Sequence, residues 1–216
     1  AVHGNEVPGV TGTVIPGYEE VLQADGQYLV PYLYLCCAKL KAAGEAVQAD
    51  GYRLKIYDAY RPREATHFLY EETEEILDWP LPSVGEAGET TYRQMVTGDG
   101  YQLRSFLARG GSAHNMGIAL DLTLETADGT ELAMQSEMHD LSRYSVTLRN
   151  NEAAELLNRY MTAAGFDILV SEWWHFQDNE TRDALGLEYL QEGVSGREHG
   201  GNTGILQKRG ILCCEN

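Results

Sequence analysis

Apolar residues recur at Leu33, Cys36, Cys37, Leu40, Ala43 and Val47. Spacings of three and four predict an amphipathic helix over 32–49, closed by Gly51, with Lys, Glu and Gln on its other face. From 52 to 57 the period changes to two, with Leu54 and Ile56 set against Arg53 and Lys55, which predicts a half-buried strand. Pro62 can open a second helix, expected to run to about Leu77 with acidic residues along one face. Alternation returns over 118–124, followed by Asp128-Gly129 as a turn signal. Asn150 or Asn151 can cap a helix through Ala164 that turns Leu156, Leu157, Tyr160 and Met161 inward and ends at Gly165. A last strand is expected over 166–176. Strands separated by helices, with Asp-Gly turns and few long parallel crossovers, predict a single α+β domain with a mainly antiparallel central sheet flanked by helices.

Two stretches break this regularity. Residues 78–111 hold Trp79-Pro80-Leu81-Pro82, several glycines and apolar islands such as Phe106-Leu107, too long for a plain connection and so read as functional surface around a cleft. From about 191 the chain turns Gly-rich and polar before the short apolar Ile211-Leu212-Cys213-Cys214. The expected domain is therefore 1–190, with 191–216 a C-terminal extension packed on it or tethered to it.

Charge narrows the partners. With 16 Lys+Arg against 33 Asp+Glu the formal net charge is −17, and no basic patch is present to neutralise phosphates, so nucleic acid is excluded as a partner. No apolar run approaches the ~18 residues needed to span a bilayer. The four cysteines form two adjacent pairs, Cys36-Cys37 and Cys213-Cys214, neither with the C-x-x-C spacing of zinc ribbons or redox sites. They fit either a staple from the tail to the first helix or four reduced thiols packed as small hydrophobes. The first residue is Ala1, which fits a removed export signal or a trimmed chain; an exported, cell-envelope location is the expectation over a cytoplasmic one.

Chemistry concentrates in three segments: Tyr57-Asp58-Ala59-Tyr60-Arg61-Pro62, then 112–121 from Ser112 to Asp121, then Glu172-Trp173-Trp174-His175. His114, Asp121 and His175 make a set of two imidazoles and one carboxylate that suits a catalytic zinc with an open position. Glu172, three residues before His175, is a carboxylate well placed to act as general base. Gly117 allows a tight turn between the first ligand and the strand bearing the second. In an ideal strand Glu172 and His175 would face opposite ways, so that strand must bulge or turn, or set the glutamate beside the metal. Taken singly each segment has a plainer reading: His114 as a satisfied loop histidine, Arg61 as a partner of the acidic helix that follows, Trp173 and Trp174 as core and cleft wall. Asp121 resists that treatment. It lies between Leu120 and Leu122, and burying a carboxylate without a cation costs several kcal/mol.

Together the segments resemble the zinc-dependent D-alanyl-D-alanine dipeptidases of the vancomycin-resistance type, within the wider D,D-carboxypeptidase and Hedgehog-like zinc fold. Ser112, His114, Gly117, Ala119 and Asp121 match the family's S-x-H-x-x-G-x-A-x-D, Glu172 and His175 its E-x-x-H, and Asp58, Tyr60, Arg61 and Pro62 its D-x-Y-R-P. The resemblance implies one Zn2+ per chain on His114, Asp121 and His175, Glu172 as general base, Arg61 as stabiliser of the oxyanion, and Ser112 as a contact to substrate. The implied substrate is a small D-amino-acid peptide. One stretch departs from the pattern: where the dipeptidases carry M-x-S/T-x-F-D, whose aspartate holds the substrate amine, this chain has Met134-Gln135-Ser136-Glu137-Met138-His139 with Asp140 one place later. Either Asp140 takes the amine through a one-residue shift, or His139 makes a different contact and substrate choice has moved. Two alternatives to a D-Ala-D-Ala dipeptidase follow. One is a D,D-carboxypeptidase acting on longer cell-wall stem peptides; the other is a zinc-bearing binding module without catalysis, against which Glu172 and Arg61 both argue.

Overall fold

The computed structural model describes residues 30–67, 106, 108, 111–140, 143–147 and 150–188. Helix α1 (Cys37–Ala49), entered through a 3₁₀ turn at Tyr34–Cys36, lies on a four-stranded sheet of β1 (Tyr52–Asp58), β2 (Ala119–Thr126), β3 (Asp167–Leu169) and β4 (Glu172–Gln177). Helix α2 (Glu152–Ala163) packs beside α1, and the short α3 (Asn179–Leu185) follows the last strand. The strand order is β1-β2-β4-β3 with every pair antiparallel, which is the expected α+β architecture.

The core forms where apolar stripes meet. Ile118, just before β2, and Leu120, Leu122 and Leu124, at alternate positions along it, are fully buried and join Ala43 and Val47 of α1, Leu157 and Met161 of α2, and Phe176 of β4 in one cluster. The period of two thus sends one face of β2 to the helices and leaves Ala119, Asp121 and Thr123 for the other. Helix α2 begins as expected, its Asn151 side chain accepting from the Ala154 N–H at 2.9 Å.

Two expectations change in detail. The strand expected over 166–176 is two strands, β3 and β4, folded back on each other through a turn at Val170 and Ser171. Helix α3 lies in a stretch for which no element was expected. Its start is nonetheless explicit: Asp178 accepts from the Thr181 N–H and hydroxyl, and Gly186 at φ 61 ends it. The second helix is helical over 63–67, and the rest of its span lies outside the described residues, as do most of 78–111 and all of 191–216. Cys36 is a buried free thiol, so it is no part of a staple, whereas Cys37 is disulfide-bonded; the second cysteine pair lies outside the described residues.

Candidate metal centre and active site

Three strands carry the site in one cross-strand row. Asp121 on β2 stands opposite His175 on β4 and opposite Asp58 on β1. The second pairing depends on a bulge. From Ile56↔Leu122 to Asp58↔Asp121, β1 advances two residues while β2 advances one, so Asp58 turns from the helix side to the face that Asp121 uses. A second irregularity places Glu172: between Ile168↔Phe176 and Leu169↔Glu172, β3 advances one residue and β4 four. The odd spacing of Glu172 and His175 is accommodated by that distortion, and both side chains reach the same pocket, 3.7 Å apart.

His114 comes from a 3₁₀ turn at Ala113–Met116 that leads into β2. The turn is held from several sides. The Ser112 N–H donates to Asn115 Oδ1 at 2.8 Å, the Asn115 amide donates to the carbonyl of Arg61 at 2.8 Å, and the Arg61 N–H donates to the carbonyl of His114 at 3.1 Å. Gly117 ends the turn at φ 69, and a Cβ there would stand 3.4 Å from the backbone nitrogen of Leu33. The left-handed backbone is what calls for the glycine; a Cβ would meet the 30–33 segment at about van der Waals contact.

His114 Nε2, His175 Nδ1 and Asp121 Oδ1 form a nearly equilateral triangle, with separations of 3.2, 3.1 and 3.3 Å. Two ligands about 2.0–2.1 Å from a tetrahedral zinc stand ~3.3 Å apart, so the triangle has the size such an ion requires. Proton positions agree. His114 Nδ1 lies 2.7 Å from the Ala59 carbonyl and His175 Nε2 lies 3.1 Å from Gln177 Oε1. Each outer nitrogen donates its proton to an acceptor, which leaves each inner nitrogen with a lone pair. Three acceptors can therefore converge in a buried space, an arrangement that could hold a metal ion. Before an ion binds, protons on the imidazoles that face Asp121 take its place: against the upward push of burial, the charge of His114 and hydrogen bonds from His114, His139 and His175 hold the Asp121 carboxyl well below the usual range, and metal binding displaces protons from the two ligand histidines.

The two remaining polar residues flank this triangle. Arg61 is 6% exposed, and its Nε and Nη2 both contact Asp58 Oδ2, at 2.7 and 2.6 Å; Nη2 also lies 3.6 Å from Asp121 Oδ2. Asp58 is oriented in turn by the Ala59 N–H at 3.0 Å. Glu172 accepts from Trp174 Nε1 at 3.1 Å, and burial pushes its carboxyl up to about 8 in the absence of a metal charge. Asp58 and Asp121 thus set two carboxylates against one guanidinium among the described residues of the site, and the charge of a bound cation would ionise Glu172 as a third.

The other expected residues are spread more widely. Ser112 is half-buried at the start of the His114 turn, and its Oγ has no hydrogen-bond partner among the described residues. His139 points into the site and lies 3.2 Å from Asp121 Oδ2. Asp140 sits one residue on in a turn, where its N–H donates to Glu137 and its carbonyl accepts from Ser145. Reasoning from motifs assigned no role to Gln177, the Ala59 carbonyl or the indole of Trp174. Only the Gln177 side chain left any trace in sequence, as a polar group two residues after a ligand on the same strand.

The segments that build this triangle lie within a stretch that fits a described family. The sequence pattern of the D-ala-D-ala dipeptidases, peptidase M15, fits residues 35–192. The chain belongs to that family. A D-alanyl-D-alanine dipeptidase of Escherichia coli (strain K12) is 35% identical over 136 residues, covering 60% of this chain and 57% of that protein. One from Streptomyces coelicolor is 30% identical over 149 residues, covering 65% and 69%. A solved structure of a mutant vancomycin resistance D,D-pentapeptidase VanY in complex with Zn(II) overlays with a TM-score of 0.41 at 17% identity, covering 72% of this chain and 75% of that one. The chain thus spans less than two thirds of the length of its Escherichia coli relative. All of the cluster falls inside the span that the family pattern matches.

Proposed function

We propose that this chain is a zinc peptidase that hydrolyses D-Ala-D-Ala or a close D,D-dipeptide. The observation that carries the reading is the convergence of three metal-type acceptors, tautomers fixed from behind, with a buried glutamate and a buried arginine on the same pocket. Membership of the D-ala-D-ala dipeptidase family supports it, as do the relatives' names. His114 Nε2, Asp121 Oδ1 and His175 Nδ1 would hold the ion. When bound, zinc supplies a Lewis acid that polarises a carbonyl and acidifies water.

The chain's own groups do the rest. Glu172 takes the proton of the attacking water; Trp174 holds its Oε2, which leaves Oε1 for that proton. Water adds its oxygen to the peptide carbonyl carbon, the C–N bond breaks, and Glu172 returns the proton to the leaving amine. Arg61, fixed by Asp58, sets a positive charge against the negative charge that grows on the carbonyl oxygen. Because Arg61 is already oriented and largely shielded from water, little reorganisation accompanies that step. Ser112, at the start of the turn that carries His114, and Asp140, next to His139, are the side chains through which substrate choice would be set.

The deciding experiment compares free D-Ala-D-Ala with its N-acylated form on the zinc-loaded protein. Faster cleavage of the free dipeptide is expected. Faster cleavage of the acylated peptide would make the chain a D,D-carboxypeptidase instead.

A further inference from the structure

Asp121 has two oxygens, and the metal triangle uses one. The other, Oδ2, lies 3.2 Å from His139 Nε2. A carboxylate oxygen can only accept, so Nε2 carries the proton and donates it. His139 reaches this position from an unusual backbone: it is the third residue of a turn closed by the Asp140 N–H on Glu137, and its φ is 61. Such a position favours glycine or asparagine, and a histidine there accepts backbone strain. The ring is also fixed by its neighbours. Trp174 meets it edge to face with centroids 5.6 Å apart, and Tyr57 does so at 6.4 Å. Trp174 is the same indole whose N–H donates to Glu172.

We infer that His139 is a positioning residue for the metal centre: it holds Asp121 Oδ2 so that Oδ1 alone is presented to the ion, and it braces the indole that orients Glu172. The inference rests on the zinc-site reading above. It gives a strained, half-buried histidine a task on the ligand itself rather than on substrate. A hydrogen-bonding partner behind a metal ligand typically carries about 10- to 100-fold in metal affinity.

The test measures zinc affinity by chelator competition, together with thermal melting of the zinc-free protein, for wild type, His139→Leu, His139→Gly and His139→Gln. His139→Leu removes the donor and is expected to bind zinc about 10- to 100-fold more weakly. His139→Gly also removes the donor but relieves the backbone, so without zinc it should melt at or above the wild-type temperature while showing the same loss of affinity. A purely structural role would move melting and leave affinity alone. His139→Gln, which carries an N–H donor at similar reach, should recover most of the affinity. If the Leu and Gly variants hold zinc as tightly as wild type, the positioning role is overturned. If wild type itself binds no zinc, the metal reading beneath the inference is what fails.

Discussion

Glu172 and the ligands beside it make separable predictions, because base and ligand fail in different ways. Glu172→Gln should retain zinc while turnover falls by about 10³-fold or more, whereas His114→Ala should lose the metal; metal content and steady-state rates on the same preparations check both. If hydrolysis survives Glu172→Gln, the base lies elsewhere. Asp58 offers a finer test. Its carboxylate touches Arg61 through two nitrogens and lies 3.9 Å from His114 Nδ1, so Asp58→Asn should loosen the guanidinium without removing a ligand. The expected result is kcat lower by about 10²-fold with near-stoichiometric zinc, the size of effect seen when a fixed oxyanion donor is disturbed.

Among the elements, the turn at Ala113–Met116 and the start of α3 carry more consequence than their length suggests. Gly117→Ala would force an L-residue to φ 69 and bring a methyl 3.4 Å from the Leu33 nitrogen, for a loss of roughly 1–2 kcal/mol in urea unfolding. Asp178 is fully buried, caps α3 and pairs with Lys39 at 2.7 Å, tying the last helix to α1. Burial raises its pKa, but hydrogen bonds from Lys39 and Thr181 outweigh this and hold the carboxyl below the usual range. A depressed folded pKa means that the stabilisation is present above the unfolded value of about 4 and is lost as pH falls through the folded one. Asp178→Ala should therefore cost about 2–3 kcal/mol near neutral pH, with the gap to wild type closing in acid, as melting temperature against pH will show.

For the whole molecule, metal and fold should be linked. The triangle joins two strands of the sheet to the turn that precedes β2, so an ion bound there ties them only in the native state. With free zinc at 100 times its dissociation constant, stabilisation is about 2.7 kcal/mol, or ~5–10 °C in a domain of this size. A chelator should reverse the shift and abolish hydrolysis together, and zinc should restore both. The charge of −17 takes part in this. It disfavours polyanionic partners at long range, but the local balance at the buried site decides what binds there.

Much of the architecture was legible along the chain because it depends on periodicities that neighbouring residues share. The helix stripe from Cys36 to Val47, the alternation through Leu120 and Leu122, and the Asn151 cap each report on local geometry. The candidate ligand types were also visible, since a carboxylate between two leucines needs a charged or hydrogen-bonding partner wherever the strand lies. Register was not legible, because one extra residue in a strand changes faces without changing composition. Nothing local says that β1 bulges to turn Asp58 beside Asp121, or that β4 distorts so that Glu172 and His175 share a pocket. Nor does sequence say which nitrogen of a histidine bears the proton: Gln177 and the Ala59 carbonyl decide that from behind. The residue types and their order determined what chemistry this chain can perform. Only tertiary structure determined that three lone pairs meet about 3 Å apart, because that distance is set by pairing between strands far apart in sequence.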